Sequence, residues 1–339
     1  MTPCSIVIPS HNRADLLHLC LASVARFAPA GTEVVVVDDA SPAGTVTSAA
    51  AEFRNVRIVR IERRGGFCVA ANAGVRAASH PLVELLNDDA EVSAGWAEAA
   101  LAAFDRPEVG AVAPLVLKQR ELESERRGLA PPSGPPGQAR RLACSIPLVD
   151  SAGDRYFLGG IANKRGHNSP LSPELLRPGF VFGASASSAF YRRDVFLRVG
   201  GFPEEFGAYF DDVDLSFRLH RAGYRVWYEP ASRVWHRVAA SHGSACPRLL
   251  AQQSLNEERV FWRNLPGGAL LSALPWHVAV LAAKAWRRWR EGSLLPFLRG
   301  RLAVLGEVPE LLRHRRRLRD LGPARVDASW ELDHRFVGA

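Results

Sequence analysis

Short apolar runs alternate with segments of helical periodicity along the first part of the chain. Runs rich in Val, Ile and Leu predict buried strands at 5–9, 33–37, 56–61 and 82–86. Between these runs, apolar residues recur at helical spacing and predict helices at 12–27, 45–53 and 70–78. Strands and helices that alternate at such short intervals are typical of a parallel sheet with helices on both faces. The sequence therefore predicts an α/β fold.

The pattern changes after residue 180. Small residues and a strand-like end occupy 180–191, and the spacing predicts helices at 194–199 and 214–222. A further strand is predicted at 225–228. The stretch 119–144 is rich in charge, proline and glycine, which predicts a flexible loop inside the domain rather than a linker between domains.

Polar residues collect just past the ends of three predicted strands, at 10–13, 38–39 and 87–89. In open α/β sheets, the ligand crevice lies outside the carboxyl ends of the strands. The clusters therefore predict one ligand site at a single edge of the sheet.

The acidic residues of two clusters suit different partners. Asp38 and Asp39 offer carboxylate acceptors to a base or a ribose, although their surroundings also suit a turn or a helix N-cap. Asn87, Asp88 and Asp89 offer oxygen ligands for Mg²⁺ or Mn²⁺, which usually bind substrate phosphates as well. A capped loop is the structural alternative there too.

A third acidic cluster lies at 210–214. Asp211, Asp212 and Asp214 repel one another unless metal, arginine or solvent offsets their charge. Asp214 suits a helix N-terminus. Asp211 and Asp212 are predicted to precede that helix, where they are available as a general base. Taken alone, a single histidine such as His236 is more often structural than a ligand.

Several classes of protein are excluded by what the motifs lack. The glycines at 65–66 follow the third predicted strand and do not form G-x-G-x-x-G, which argues against a dinucleotide-binding dehydrogenase. The five cysteines are widely spaced and include no C-x-x-C, which argues against a zinc site or a disulfide framework. Because the chain also starts directly on a strand-like run, we expect no signal peptide and a cytoplasmic location.

Charge is concentrated at the C-terminal end. The formal net charge is +8, and the residues from Ala240 onward carry 16 Lys/Arg against 9 Asp/Glu. A basic tail predicts contact with an anionic surface, either lipid head groups or nucleic acid. No nucleic-acid-binding motif accompanies the charge, so we expect no nucleic-acid partner.

The same tail contains the longest apolar stretch, at 269–283. It is shorter than the roughly 20 residues that span a bilayer, and it includes Pro275 and His277. We therefore predict a buried or interfacial helix rather than a transmembrane one. Tryptophans and arginines at 284–290 favour the membrane interface. Two amphipathic helices packed on the preceding α/β domain remain the alternative.

In their order and spacing, the motifs resemble those of the family 2 glycosyltransferases, which have the GT-A fold. The resemblance runs from near Ser5 to near Pro266 and is closest to bacterial rhamnosyltransferase-like and galactofuranosyltransferase-like members. It rests on segments that match the family in sequence order, at 8–13, 36–41, 66–74, 86–89, 150–153, 182–185, 199–202 and 210–215.

The resemblance implies a Rossmann-like, mostly parallel sheet flanked by helices, with a C-terminal helical extension. It implies a catalytic domain at 1–240, divided into a nucleotide-sugar half at 1–118 and an acceptor half at 145–240. The basic, partly amphipathic helical region then covers 241–339.

The resemblance also implies roles for single residues. Asp212 is expected to be the catalytic base, with Asp211 as the alternate, and Asp89 and His236 are expected to bind Mn²⁺ or Mg²⁺. The residues expected to bind the nucleotide sugar are Pro9, Asn12, Arg13, Asp38, Asp39, Gly66, Phe67, Asn72, Asn87 and Asp88.

These roles imply an inverting transfer from a UDP- or dTDP-linked sugar to a glycan or lipid-linked acceptor, in cell-surface polysaccharide assembly on the inner face of the membrane. Two alternatives stay open. A sugar nucleotidyltransferase would carry a glycine-rich basic signature where this chain has Ser10-His11-Asn12-Arg13. A non-catalytic binding or scaffold protein would not need the acidic residues and the histidine that this chain retains.

Overall fold

The computed structural model describes residues 3–119, 146–237, 246–322 and 330–333. The strands are β1 (Cys4–Ser10), β2 (Glu33–Asp39), β3 (Val56–Ile61), β4 (Leu82–Leu86), β5 (Ala90–Val92), β6 (Val109–Lys118), β7 (Val149–Ser151), β8 (Asp154–Phe157), β9 (Ile161–Lys164), β10 (Gly179–Val181), β11 (Ser188–Arg192) and β12 (Arg225–His236). The predicted loop at 119–144 lies, apart from Gln119, outside the described residues, as does Cys144.

Helices flank the sheet and continue beyond it. Those before β12 are α1 (Ala14–Phe27), α2 (Thr45–Ala51), α3 (Phe67–Ala77), α4 (Trp96–Ala102), α5 (Arg193–Arg198) and α6 (Asp211–Arg221). Those after it are α7 (Pro247–Asn264), α8 (Gly267–Arg290), α9 (Leu294–Ala303) and α10 (Val308–Leu321).

One mixed sheet organises the fold, with strands in the order β10-β12-β6-β11-β4-β1-β2-β3. The strands β4, β1, β2 and β3 are parallel throughout, and β12 is parallel to β6. Between these two parallel groups, β11 runs antiparallel to both of its neighbours. The predicted mostly parallel, helix-flanked α/β sheet is confirmed. Besides β11, the short strands β5, β7 and β10 also pair antiparallel with their neighbours.

Alternate side chains of the central strands pack into two different hydrophobic cores. Val7 and Val35 belong to the core that contains helix α3, whereas Ile6, Ile8 and Val36 belong to the core that contains α1. Because successive side chains of a strand point to opposite faces, a run that is apolar at every position is what a strand covered on both sides requires. The polar residues that follow each run are therefore left at the strand ends.

Helix α6 begins earlier than the periodicity predicted. It starts at Asp211 rather than at Asp214, and the N–H of Asp214 donates to the carbonyl of Phe210 at 3.0 Å. The expectation that Asp211 and Asp212 precede the helix is therefore wrong. Acidic side chains are favourable in a first helical turn. The entry to α6 is formed by the two residues that precede it, Tyr209 and Phe210, and both have a positive φ, of 70° and 64°.

Strand β12 is longer than predicted and carries His236 at its end. The sequence pattern predicted a strand only at 225–228. The structure continues the strand to His236 by an irregularity between Glu229 and Arg233, after which pairing with β6 resumes. The consequence is that His236 lies on the sheet rather than in a loop.

The C-terminal helices begin as part of the domain. Near the end of α7, Arg263 and Asn264 hydrogen-bond to the buried carboxylate of Asp214 on α6 at 2.6–2.9 Å. The next helix, α8, extends the predicted apolar segment at both ends and contains Pro275. By length and composition α8 is able to cross a membrane, and 11% of its most apolar window is buried in the protein.

Candidate active site

Asp39, the last residue of β2, holds a glycine turn at the sheet edge. Its Oδ1 accepts a hydrogen bond from the N–H of Gly65 at 2.7 Å, and its Oδ2 accepts one from Gly66 at 2.8 Å. Gly66 has a φ of 83°, which disfavours any residue with a side chain. Asp39 therefore fixes the backbone immediately before helix α3, where Phe67 is the first helical residue.

The neighbouring residue Asp38 stabilises a different turn. The carboxylate accepts hydrogen bonds from the N–H of Ser41 at 2.8 Å, the hydroxyl of Thr47 at 2.6 Å and the guanidinium of Arg60 at 2.7 Å. Burial opposes ionisation, but these donors and the charge of Arg60 outweigh it and lower the pKa of Asp38. Asp38 thus supports the turn after β2, which was one of the two readings open at the sequence level.

The loop after β1 reaches the second acidic cluster. Pro9 is buried in β1 beside Val37, and Asn12 has a φ of 54° with its N–H donating to Ser41 Oγ at 3.0 Å. Arg13 Nη1 lies 3.1 Å from Asp88 Oδ1 and 3.2 Å from Asp89 Oδ2. The ends of β1 and β4 are therefore joined by one arginine.

Asp88 faces the β1 end rather than the histidine. Its Oδ2 accepts a hydrogen bond from the hydroxyl of Ser10 at 2.7 Å. Burial raises the pKa of Asp88 to about 6, against the opposing effects of Ser10 and Arg13.

Asp89 and His236 form the part of the site predicted for metal. Asp89 Oδ1 is 3.0 Å from His236 Nε2, and the amide nitrogen of Asn87 is 3.4 Å from the same ring nitrogen. The side chains of Asp89 and His236 are almost completely buried.

Asp150, on β7, lies behind His236 and was assigned no role from the sequence. Its Oδ2 is 3.1 Å from His236 Nδ1 and 3.1 Å from Lys164 Nζ. Burial opposes the charge on both groups, yet the pKa of His236 is raised to about 9 by Asp150 and Asp89, and that of Asp150 is far below its usual range. The segment 150–153 matched the family, which was the only sequence signal for this residue.

The donor atoms at this corner suit a divalent cation. Two ligands at about 2.1 Å from one ion lie about 3 Å apart when adjacent, which is the separation of Asp89 Oδ1 and His236 Nε2. A carboxylate behind a ligating histidine fixes the ring orientation, and Asp150 occupies that position. Within 3–119, 146–237, 246–322 and 330–333, no three His, Cys, Asp or Glu residues are arranged around one ion position. A pair of protein ligands is usual in sites where substrate phosphates also bind the ion.

The acidic helix α6 presents the buried carboxylate of Asp211 and the half-buried carboxylate of Asp212. Asp212 Oδ2 accepts a hydrogen bond from the N–H of Ala186 at 3.1 Å, and Oδ1 accepts one from Val213 at 2.9 Å. Burial raises the pKa of Asp212 despite these donors. The pKa of Asp211 is raised strongly, first by burial and then by the charge of Asp212.

One short loop before β11 connects the two acidic corners. The carbonyl of Ser187 accepts a hydrogen bond from the N–H of Asn87 at 3.0 Å, while the adjacent Ala186 donates to Asp212. The α6 entry also reaches the glycine turn, because the carbonyl of Gly207 accepts from the N–H of Cys68 at 3.3 Å. The structure therefore brings the acidic clusters at 38–39, 87–89 and 211–212 to one edge of the sheet.

Asn72, on α3, binds the backbone of a loop near this edge of the sheet. Its amide nitrogen donates to the carbonyl of Phe202 at 2.8 Å, and its oxygen accepts from the N–H of the same residue at 2.8 Å. The rings of Phe67 and Phe202 are 5.7 Å apart. In this structure the hydrogen-bonding capacity of Asn72 is directed at the loop that leads to α6.

Comparison with known proteins gives matches to sequence and to structure. The model of glycosyl transferase family 2 matches residues 5–197. The N-acetylglucosaminyl-diphospho-decaprenol L-rhamnosyltransferase of Mycobacterium tuberculosis is 27% identical over 252 residues, covering 70% of this chain and 77% of that protein.

Two solved structures share the fold. GalNAc-T7 with UDP, GalNAc and Mn²⁺ has a TM-score of 0.56 at 20% identity, over 77% of this chain and 47% of its own. A mannosyltransferase from Pyrobaculum calidifontis with GDP-Man and Mn²⁺ has a TM-score of 0.51 at 19% identity, over 94% of this chain and 84% of its own. The predicted fold is confirmed by these likenesses.

Proposed function

The chain belongs to glycosyltransferase family 2, and from that premise we propose that it transfers a sugar from a nucleotide-diphosphate sugar to an acceptor hydroxyl with inversion at the anomeric carbon. The observation that carries this proposal is the loop before β11. Ser187 accepts from Asn87 while Ala186 donates to Asp212, so a proton acceptor lies one loop away from the predicted phosphate site. Direct displacement requires a base and a stabilised leaving group on opposite sides of the sugar.

We assign the base to Asp212. Its backbone donors hold the carboxylate at the start of α6, and its raised pKa suits a group that takes up a proton from a hydroxyl. Asp211 is the alternate, but it is more deeply buried, at 3% exposure. The predicted reaction forms the new glycosidic bond as the bond to the diphosphate breaks, and the acceptor proton moves to Asp212.

We propose that the donor lies along the edge formed by β1, β2 and α3. The glycine turn held by Asp39, with Gly66 and Phe67, would face the base and ribose of a UDP- or dTDP-linked sugar. Pro9 and Asn12 would line the nucleotide pocket, and Arg13 would offset phosphate charge. Asp38 and Asn72 would act indirectly, by supporting the turn and the loop that they bind.

The proposed ligands of Mn²⁺ or Mg²⁺ are Asp89 and His236, assisted by Asn87 and Asp88. When bound, such an ion supplies positive charge that stabilises the departing diphosphate. Asp150 would orient His236, and Lys164 would balance the charge of Asp150.

We further propose a glycan or lipid-linked acceptor in cell-surface polysaccharide assembly. The M. tuberculosis relative is named for a decaprenol-linked substrate. This acceptor class would place the enzyme at the cytoplasmic face of the membrane. The catalytic unit would comprise 1–240 together with α7, because α7 binds Asp214 on the acidic helix.

A thermal-shift panel of nucleotide sugars with Mn²⁺ tests the proposed donor class. We expect one UDP- or dTDP-linked sugar to raise the midpoint of unfolding more than its free nucleoside diphosphate. Release of nucleoside diphosphate and a glycosylated product should follow with an acceptor. Release of pyrophosphate instead would indicate a nucleotidyltransferase, and donor binding without any product would indicate a scaffold protein.

Removing divalent metal is expected to abolish transfer. Treatment with EDTA should stop release of nucleoside diphosphate, and added Mn²⁺ or Mg²⁺ should restore it, because the leaving diphosphate loses its offsetting charge. Turnover is measured before chelation, after chelation and after re-addition. Undiminished turnover in EDTA would contradict the metal assignment.

Asp150→Asn is expected to weaken Mn²⁺ binding by about 10–100-fold, the usual effect of removing a carboxylate behind a ligating histidine. The affinity is measured in the presence of UDP from the electron paramagnetic resonance signal of free Mn²⁺, which does not depend on turnover. Asp105→Asn, at an exposed site, is the matched control. Equal Mn²⁺ affinities of the two variants would show that Asp150 does not contribute to metal binding.

A further inference from the structure

Helix α8 has its polarity reversed with respect to an ordinary surface helix. The side chains of His277 and Lys284 point inward, where His277 Nε2 lies 3.2 Å from Glu258 and Lys284 pairs with Glu257. No charged residue occurs from Gly267 to Ala283. The large apolar side chains instead face outward, and these are Leu271, Trp276, Val278, Trp286 and Trp289.

The next helix, α9, repeats this reversal. Arg301 of α9 points inward to the buried carboxylates of Glu257 and Glu258. The exposed large apolar side chains of α9, of the turn after it and of α10 are Leu295, Leu298, Leu302, Leu305, Val308 and Leu312. On α10 they lie beside exposed charged residues, among them Glu310 and Arg313. Leu295 and Leu271 are 79% and 71% exposed. We call these two sets of outward residues the outer face of α8–α10.

A set of large exposed apolar side chains of this kind marks an interaction site. Cationic side chains surround it, with Arg287 and Arg290 exposed at the end of α8 and Arg299 exposed on α9. On α10, a hollow of about 340 Å³ is lined by apolar and basic side chains together, namely Val308, Pro309, Leu312, Arg313 and Arg316. Its partner must therefore offer both an apolar interior and negative charge.

We propose that the outer face of α8–α10 docks onto an anionic lipid bilayer, with the three helices lying in the head-group region. Tryptophan and arginine beside an apolar row are favourable at that depth. A second copy of this chain fits less well, because a twofold contact through this face would bring its arginines against their own copies.

An interfacial position also fits α8 better than a membrane span. His277 and Lys284 are held by Glu258 and Glu257 of α7, so α8 is fastened along its inner side to the domain. A spanning α8 would have to leave these partners, and it would carry His277 and Lys284 into new surroundings at high cost.

Co-sedimentation of the full chain with vesicles tests the proposal. We expect strong binding to phosphatidylcholine vesicles that contain about a third phosphatidylglycerol, and weaker binding to phosphatidylcholine alone or at high salt. Leu295→Ser combined with Leu302→Ser should lower the partition coefficient about tenfold. Leu19→Ser combined with Leu176→Ser, which are exposed leucines elsewhere, should leave it unchanged.

A second pair of variants tests the charge. Arg316→Gln combined with Arg317→Gln should weaken binding to anionic vesicles and flatten its salt dependence, whereas Arg54→Gln combined with Arg177→Gln should not. Hydrolysis of the donor in vesicle-free solution should be equal in all variants, so a failure of docking is distinguishable from a failure of the proposed transfer activity.

Three outcomes overturn the proposal. Equal binding to neutral and anionic vesicles would show that docking does not require anionic lipid. A dimer in light scattering that the leucine variants convert to a monomer, without vesicle binding, identifies a second copy as the occupant. Retention in the membrane fraction after alkaline carbonate extraction identifies α8 as a span.

Discussion

Asp212→Asn is expected to lower kcat by about 10²–10⁴-fold, the usual contribution of a positioned general base, while donor affinity is unchanged. The amide keeps the size of the side chain and one acceptor oxygen for the N–H groups of Ala186 and Val213. It cannot take up the acceptor proton. Single-turnover release of nucleoside diphosphate measures the loss, and a donor titration with Mn²⁺ measures the affinity.

Asp211→Asn is the matched control, because it makes the same chemical change one residue earlier in the same helical turn. We expect a smaller loss, since Asp211 is the more buried of the two carboxylates. If Asp211→Asn abolishes turnover and Asp212→Asn does not, the base is Asp211.

The pH profile distinguishes a base from a purely structural carboxylate. Burial raises the pKa of Asp212 above its ordinary 3.8. The ionised form is the active one, so kcat/KM should fall as the pH decreases through this raised pKa. The residual activity of Asp212→Asn should lack this step.

Asp214→Ala is expected to lower the free energy of unfolding by about 3–5 kcal/mol, because it leaves buried charges without a partner. Asp214 is completely buried and accepts hydrogen bonds from Arg218, Arg263 and Asn264 at 2.6–2.9 Å. Urea unfolding followed by circular dichroism measures the change.

Glu310→Ala is the control for this loss. Glu310 pairs with Arg313 on the exposed side of α10, and such surface pairs contribute about 0–1 kcal/mol. Equal losses for the two variants would show that the network around Asp214 is not what holds α7 on α6.

The loss at Asp214 should also depend on pH. Burial opposes its ionisation, but Arg263 and Arg218 outweigh burial and hold the pKa of Asp214 far below the ordinary 3.8. A depressed carboxyl pKa stabilises the fold fully above the unfolded value and progressively less below it. The difference between the wild-type protein and Asp214→Ala should therefore shrink as the pH falls below 3.8.

The strands could be predicted from the sequence where one local pattern determined them. The runs at 56–61 and 82–86 coincide with β3 and β4, because each is rich in Val, Ile or Leu and lies between turn residues. The start of α6 could not be predicted in this way, since Tyr209 and Phe210 adopt positive φ without a glycine to indicate it. The extension of β12 past Pro230 depends on pairing with β6, which periodicity does not report.

The candidate site shows the same division. Asp39 and Asp89 were proposed as site residues because acidic residues past strand ends are visible in the sequence. Asp212 was proposed because it lies in the acidic cluster at 210–214, which matches the family. Asp150 was missed because its contact with His236 spans 86 residues and exists only after folding. The indirect position of Asn72, which binds the backbone of Phe202, likewise depends on a contact between distant segments.

The buried pairing of Glu257 and Glu258 with Arg301 limits how this chain can be shortened. Cutting ahead of α8 would remove Arg301, His277 and Lys284 together and leave two carboxylates in the interior without cations, which is costly. Truncation is therefore a poor route to a freely soluble enzyme. Polar substitution of the outward leucines, which leaves every inward ion pair intact, is the better one.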